Sequence, residues 1–264
     1  MVAMKKRSSL VAWLFIIVGT SYFLLPLIAT FLFSLRAKKD TLGFTAYQRV
    51  FADSSFYETF LFSALMALLT IIASLLLLVP TVYWAYLRHP RLHRLIELVS
   101  LMPFVIPPIV LVFGLIKSYS RSPVILVQNR GLLIAGYMVL TLPYMYRAID
   151  AGLRATNVKT LTEAAQSLGA GWPRIIWQVI VPNVRGALVN GAFLTFATVL
   201  GELTLAQYLA WPAFGPYLAR ISQNKAYEPA ALTIISFALT WVIFGVVLLV
   251  NSKDQQQTQF GGTH

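Results

Sequence analysis

Glu202 is the side chain least at home in its surroundings. It stands in Leu200-Gly201-Glu202-Leu203-Thr204, at the outer part of an apolar run. An ionisable group at membrane depth is costly, and by default marks a functional site. Such an acid attracts a cation, acts in a gate, pairs with a neighbouring helix or sits at the interface. His89 and His93 are four apart, a spacing at which two imidazoles on one helix face can share a metal. Pro90 between them, and Arg88, Arg91 and Arg94 around them, favour a solvated loop over a metal site. Arg147, Asp150 and Arg154 have helical spacing and read as an intrahelical ion pair worth about 0.3 kcal/mol, in preference to a contact with a partner protein. Other chemistry is missing from the sequence. Gly-Lys does not occur, so there is no Gly-x-x-x-x-Gly-Lys-Ser/Thr phosphate cradle. Neither His-Glu-x-x-His nor Gly-x-Ser-x-Gly is present. Zero cysteines exclude disulfides, thiolate catalysis and cysteine metal sites. The expectation is a chain that is not an enzyme and holds no cofactor or metal of its own.

The elements that position these residues are apolar helices. Charged residues make up only 11% of the 264, against about 25% in a soluble domain. Mean hydropathy is +0.72. About 20 apolar residues in a helix cross the hydrocarbon core, and a helix satisfies its own backbone there. The apolar runs are continuous rather than alternating, which argues against a barrel. Six spans are expected, near 10–34, 60–86, 97–117, 131–149, 183–206 and 229–250. The fifth of these includes Glu202. Lys5-Lys6-Arg7 precedes an uncharged run from Ser8 to Leu35, longer than the roughly 7–15 residues of a secretory signal. It reads as a retained helix starting in the cytoplasm, which places both termini on that side. The formal charge of +12 is assigned to loops that meet anionic headgroups, not to nucleic acid. Residues 1–58 form a first helix and outer loop, 59–250 a core, and 251–264 a polar tail expected to be disordered.

Pro103-Phe-Val-Ile-Pro107-Pro108 should strongly bend the third span, because proline removes a helix donor and crowds the preceding turn. Pro107, Pro108, Tyr144 and Glu202 are the candidates for a translocation pathway or gate.

The most informative segment is Thr160-Leu-Thr-Glu163-Ala164-Ala165-Gln-Ser-Leu168-Gly169-Ala-Gly171-Trp172-Pro173-Arg174-Ile-Ile-Trp177-Gln-Val179-Ile-Val181-Pro182. It reads as two short helices with a tight bend. Thr160 and Glu163 are expected to form a capping box. Gly169 suits the left-handed end of the first helix. Pro173 suits the first turn of the second, and Pro182 should break it where the fifth span begins. Ala164, Ala165, Leu168, Trp172, Ile175, Ile176 and Val179 give this knob an apolar surface of the kind that marks a protein contact.

Glu163, Ala164, Ala165, Gly169, Val179, Val181 and Pro182 resemble, position by position, the "EAA" loop of binding-protein-dependent ABC importer permeases. Isoleucine and leucine are commoner in that family where Val179 and Val181 stand. The resemblance covers roughly 60–250 and implies an all-α membrane protein of about six helices with the type I, MetI-like permease fold. It further implies that 160–182 holds a coupling helix, with Glu163, Ala164, Ala165, Leu168, Gly169, Trp172 and Pro182 at the contact with an ATPase. The implied partners are two ATP-binding cassette subunits that bind ATP and magnesium, a second permease, an extracytoplasmic binding protein and the lipid of a bacterial inner membrane. The stretch from Leu200 to Trp211-Pro212 resembles permeases for polyamines, ferric iron, phosphonates and sulfate. The lean is towards a polyamine. A stand-alone secondary transporter would need no such knob and often has inverted repeats; none is visible. An intramembrane enzyme would need several converging polar groups, and Glu202 alone does not supply them.

Overall fold

The computed structural model describes residues 2–36, 42–120 and 127–260. It is helical throughout, with no strand among the described residues. In chain order the helices are α1 (Val2–Ser34), α2 (Thr45–Phe51), α3 (Ser54–Arg88), α4 (Pro90–Val105), α5 (Pro108–Tyr119), α6 (Arg130–Ala155) and α7 (Val158–Ser167). There follow α8 (Trp172–Arg174), a π-helical stretch (Ile175–Ile180), α9 (Val181–Leu200), α10 (Thr204–Tyr208), α11 (Phe214–Asn224) and α12 (Glu228–Phe260).

Among the described residues, five stretches are long and apolar enough to cross a membrane: Val11–Ser34, Ser54–Arg88, Arg130–Ala155, Trp172–Leu200 and Glu228–Gly245. The third expected span is not a straight helix. α4 and α5 meet at 101° across a break at Ile106-Pro107. Ile106, held extended by the proline after it (φ −88°, ψ 115°), ends α4, and Pro108 opens α5 as a first-turn residue. Pro103 lies inside α4 without ending it. α12 runs on through Asn251 to Phe260, where the sequence offers no glycine or proline, and residues 261–264 of the expected tail lie outside the described residues.

The chain divides into two compact units, Met1–Phe56 with Leu218–Val242, and Tyr57–Tyr217 with Ile243–His264. In the first, the buried Glu228 at the start of α12 accepts from Arg49 of α2 at 3.1 Å. Ser34 at the end of α1 and Tyr47 of α2 share a hydrogen bond of 2.8 Å.

In the second unit, α6 packs closely on α9. Small residues make that approach possible. A Cβ on Gly152 would stand 2.9 Å from the Ala187 Cβ, and one on Gly191 would stand 2.7 Å from the Ala148 Cβ. Ala148 and Gly152 are four apart on α6, as are Ala187 and Gly191 on α9. This paired small-xxx-small seam lets two membrane helices interlock where apolar lipid gives no hydrophobic drive to associate. One apolar core joins Val79, Val82 and Tyr83 of α3, Met145, Ile149 and Leu153 of α6, Val158 and Ala165 of α7, Ile175 and Ile180 of the π stretch, and Val184 of α9. A second core gathers Met66, Val112, Leu133, Tyr137, Val199 and Leu205.

Candidate functional site: the α7 turn

The site is built on α7, which one face holds and the other leaves bare. Its cap is Asn157, whose side-chain oxygen accepts from the Thr160 N–H at 3.4 Å. This corrects the expected capping box: the helix begins earlier, so Thr160 is already inside it, and Glu163 is an exposed residue 3.9 Å from Lys159. An exposed pair of that kind contributes between zero and about 1 kcal/mol. Val158, Thr162 and Ala165 follow one another at helical spacing and are buried. Thr162 is joined by its hydroxyl to that of the buried Tyr83 on α3, at 2.8 Å. So α7 is fixed to the spans by an apolar face with one polar pin.

The helix ends in a Schellman arrangement. The Ala170 N–H donates to the Ala165 carbonyl at 3.0 Å, and the Gly169 N–H donates to Gln166 at 2.9 Å. Gly169 takes φ +78°, as its expected role requires, and a Cβ there would meet nothing within 4 Å. The turn therefore needs glycine for its backbone angle and not for space. Leu168, just before it, is 88% exposed. Ala164 is exposed as well, and Trp172 is partly so, with its ring beneath the Arg88 guanidinium at 5.0 Å. The exposed side of the knob is thus narrower than expected. Ala165 and Ile175 face inward into the core, while Ile176 and Val179 are half-buried against it.

Pro173 sits in the first turn of α8, as its fixed φ favours. Pro182 does not break the chain. Trp172–Leu200 runs as one stretch, because the π-helical turn before Pro182 absorbs the misfit of a residue with no N–H. The Asn183 side-chain amide donates to the Val179 carbonyl at 2.7 Å, meeting an acceptor near the proline.

The pathway candidates fall into separate groups. Pro107 and Pro108 form the exposed corner between α4 and α5. Tyr144 of α6 packs edge-on against Phe104 of α4, with centroids 5.7 Å apart. Glu202 lies beyond the end of α9 rather than inside the span. Its carboxylate accepts from the N–H groups of Thr204 (2.6 Å), Leu205 (3.0 Å) and Ala206 (3.3 Å). It therefore caps the short α10, an arrangement in which an anion meets the orphan donors of a helix start.

One cluster lay beyond the sequence reading. His93 is not a loop residue: Pro90 begins α4, which places His93 one turn inside the helix and facing α6. Its Nε2 lies 2.7 Å from Asp150 Oδ1, and the Arg154 Nε donates to Asp150 Oδ2 at 2.7 Å. The pair expected within one helix thus serves two. Arg147 is exposed. The His89-Pro90 junction was the available signal, since proline favours the first turn of a helix. No group of three His, Cys, Asp or Glu able to hold a metal occurs among the described residues.

Comparison with known proteins accords with this architecture. The probable ABC transporter permease protein y4fN of Sinorhizobium fredii is 25% identical over 168 residues, 62% of this chain and 29% of the relative. The molybdenum transport system permease protein ModB of Escherichia coli K12 is 32% identical over 120 residues, 41% of this chain and 52% of the relative. This chain thus matches about half or less of those two. The molybdate/tungstate transport system permease protein WtpB of Pyrococcus abyssi is 26% identical over 233 residues, 84% of this chain and 90% of the relative. A crystal structure of a bacterial ABC transporter that imports alginate superposes with a TM-score of 0.67 at 17% identity, covering 93% of this chain and 96% of that one. That likeness establishes the shared fold, all-helical among the described residues, with five or, counting the bent α4–α5 pair, six stretches long and apolar enough to cross a membrane. Residues 79–253, most of the chain, match the model of one family, and the protein belongs to it: the binding-protein-dependent transport system inner membrane components.

Proposed function

We propose that this chain forms half of the translocation pathway of an ATP-driven importer, and that the turn at Leu168-Gly169 is where a partner ATPase grips it. The supporting observation is the asymmetry of α7. One face is locked to α3, α6 and α9, while Leu168 stands 88% exposed at the far end. A leucine so exposed, on a rigid and capped turn, suits insertion into a groove on another protein. Force applied there reaches α3 through the Tyr83–Thr162 hydrogen bond and α9 through Ile175 and Ile180. Rigid-body movement of the spans then exposes a central path alternately to each side.

In this reading ATP and magnesium bind to two partner cassette subunits. A second permease completes the pathway, and an extracytoplasmic binding protein delivers the solute. The α7 turn and both termini face the cytoplasm. The substrate is a tetrahedral oxyanion of the molybdate or tungstate type. The names of ModB and WtpB support this over the polyamine reading. So does the engagement of Glu202, whose carboxylate is taken up by three backbone N–H groups instead of standing free for a cation. The test is reconstitution with the partner ATPase and binding protein, following uptake of labelled molybdate and labelled spermidine. Saturable, ATP-dependent uptake of molybdate alone is expected. Uptake of spermidine alone would refute the oxyanion assignment, and uptake by the chain without ATPase would refute the importer reading.

A further inference from the structure

The turn between α3 and α4 carries a cleft lined by Trp84, Arg88, His89, Arg91, Leu92 and Arg94. Three guanidinium groups share it, and no carboxylate pairs with Arg88, Arg91 or Arg94 among the described residues. Arg88 is exposed but lies over the Trp172 ring, 5.0 Å from its centroid, a cation–π contact that holds it without an acid. Trp84 is 44% exposed and stacks obliquely on His89, with centroids 4.6 Å apart. The cleft is therefore positive and aromatic on one wall, with no carboxylate among its lining residues.

The cleft leads onto an apolar strip. Arg91, Leu95, Leu98, Met102 and Val105 recur along α4 at intervals of four and three, and so share one helix face. All five are exposed, while His93, Ile96 and Ser100 on the other face are half-buried or buried. A cationic notch at the end of an exposed apolar stripe matches one kind of molecule, a headgroup with negative charge joined to a hydrocarbon chain.

We propose that this cleft is a binding site for one anionic phospholipid, its phosphate held by Arg88, Arg91 and Arg94 and an acyl chain lying along Leu95, Leu98 and Met102. The charge complement selects an anionic headgroup over a zwitterionic one. Arginine suits phosphate because its planar fork donates two parallel hydrogen bonds. Trp84 sits at the headgroup level, where indole rings concentrate. Because Arg88 also covers Trp172, an occupied cleft steadies the residue that follows the α7 turn. The site stands or falls independently of the importer reading, since lipid binding needs no partner subunit.

The test is native mass spectrometry of the delipidated full chain offered phosphatidylglycerol or phosphatidylcholine. The wild type should retain one phosphatidylglycerol under conditions that strip phosphatidylcholine. Changing all three arginines to glutamine should weaken that retention at least about tenfold, on the scale of electrostatic contributions per basic residue near a membrane. Three Arg→Lys changes should retain part of it, and glutamine at Lys117 and Lys225 should leave it intact. If the triple glutamine variant fails to fold, Arg91→Gln alone, an exposed residue, should still weaken retention about fivefold. Brominated phosphatidylglycerol should quench the fluorescence lost in Trp84→Phe. Equal retention of the two lipids, undiminished retention in the glutamine variants, or displacement of the lipid by millimolar inorganic phosphate would overturn the proposal.

Discussion

At the residue scale, one glycine and one shared carboxylate carry most of the local logic. Gly169 at φ +78° is tolerated only because it lacks a Cβ. Gly169→Ala meets no neighbour, so its whole cost is backbone strain of about 1–2 kcal/mol. The expected outcome is a frayed α7 turn, seen as faster hydrogen exchange confined to 164–172, while the spans keep their protection. Asp150 joins His93 of α4 and Arg154 of its own helix. Asp150→Asn removes the charge that serves both. The expected loss is about 1–3 kcal/mol, read as a lower melting temperature in detergent. Arg154→Gln, whose side chain is 55% exposed, should cost less than 1 kcal/mol in the same assay. Gly169 was legible in the sequence because a left-handed helix end is a local requirement. The Asp150 cluster was legible only in part. The i,i+4 pair with Arg154 is local, whereas the His93 contact depends on how α4 docks against α6.

At the element scale, the departures from the sequence reading share a cause: each depends on how a break is absorbed. Pro182 looks like a terminus in one dimension. A π-helical turn and the Asn183 amide make it part of a continuous stretch. Asn157 rather than Thr160 caps α7, because both types cap well and only the packing of Val158, Thr162 and Ala165 fixes the frame. The sequence puts Glu202 in or near the outer part of the fifth expected span. α9 ends at Leu200, which turns Glu202 into the cap of α10. By contrast, Pro107-Pro108 acts as its chemistry dictates, turning the chain through 101°. The α6–α9 seam gives a further expectation. Gly191→Leu drives a side chain into Ala148 and Met145, and overpacking costs about 1–3 kcal/mol or more. The melting temperature should fall, whereas Gly186→Leu, facing open space on the same helix, should leave it within about 0.5 kcal/mol of the original stability.

At the scale of the whole molecule, the family and the helical membrane architecture were both legible, since continuous apolar runs and a twenty-residue pattern are properties of sequence. The substrate was not legible. A pathway set between this chain and a second permease would draw its selectivity from both, and the delivering protein would add its own. The proposed point of grip is the α7 turn. Leu168 is exposed, so Leu168→Asp should change stability by less than about 0.5 kcal/mol. Loss of a buried anchor at an interface should cost about 2 kcal/mol or more in affinity for the ATPase. Because the natural chain has no cysteine, a single Leu168→Cys offers one unique label site. The most direct measurement is cross-linking of that cysteine in membranes that contain the partner ATPase. A covalent adduct with the ATPase is expected, with no labelling of intact cells by an impermeant maleimide. Labelling from outside the cell, or a cysteine at 168 that never joins the ATPase while the assembled complex still hydrolyses ATP in step with transport, would contradict it.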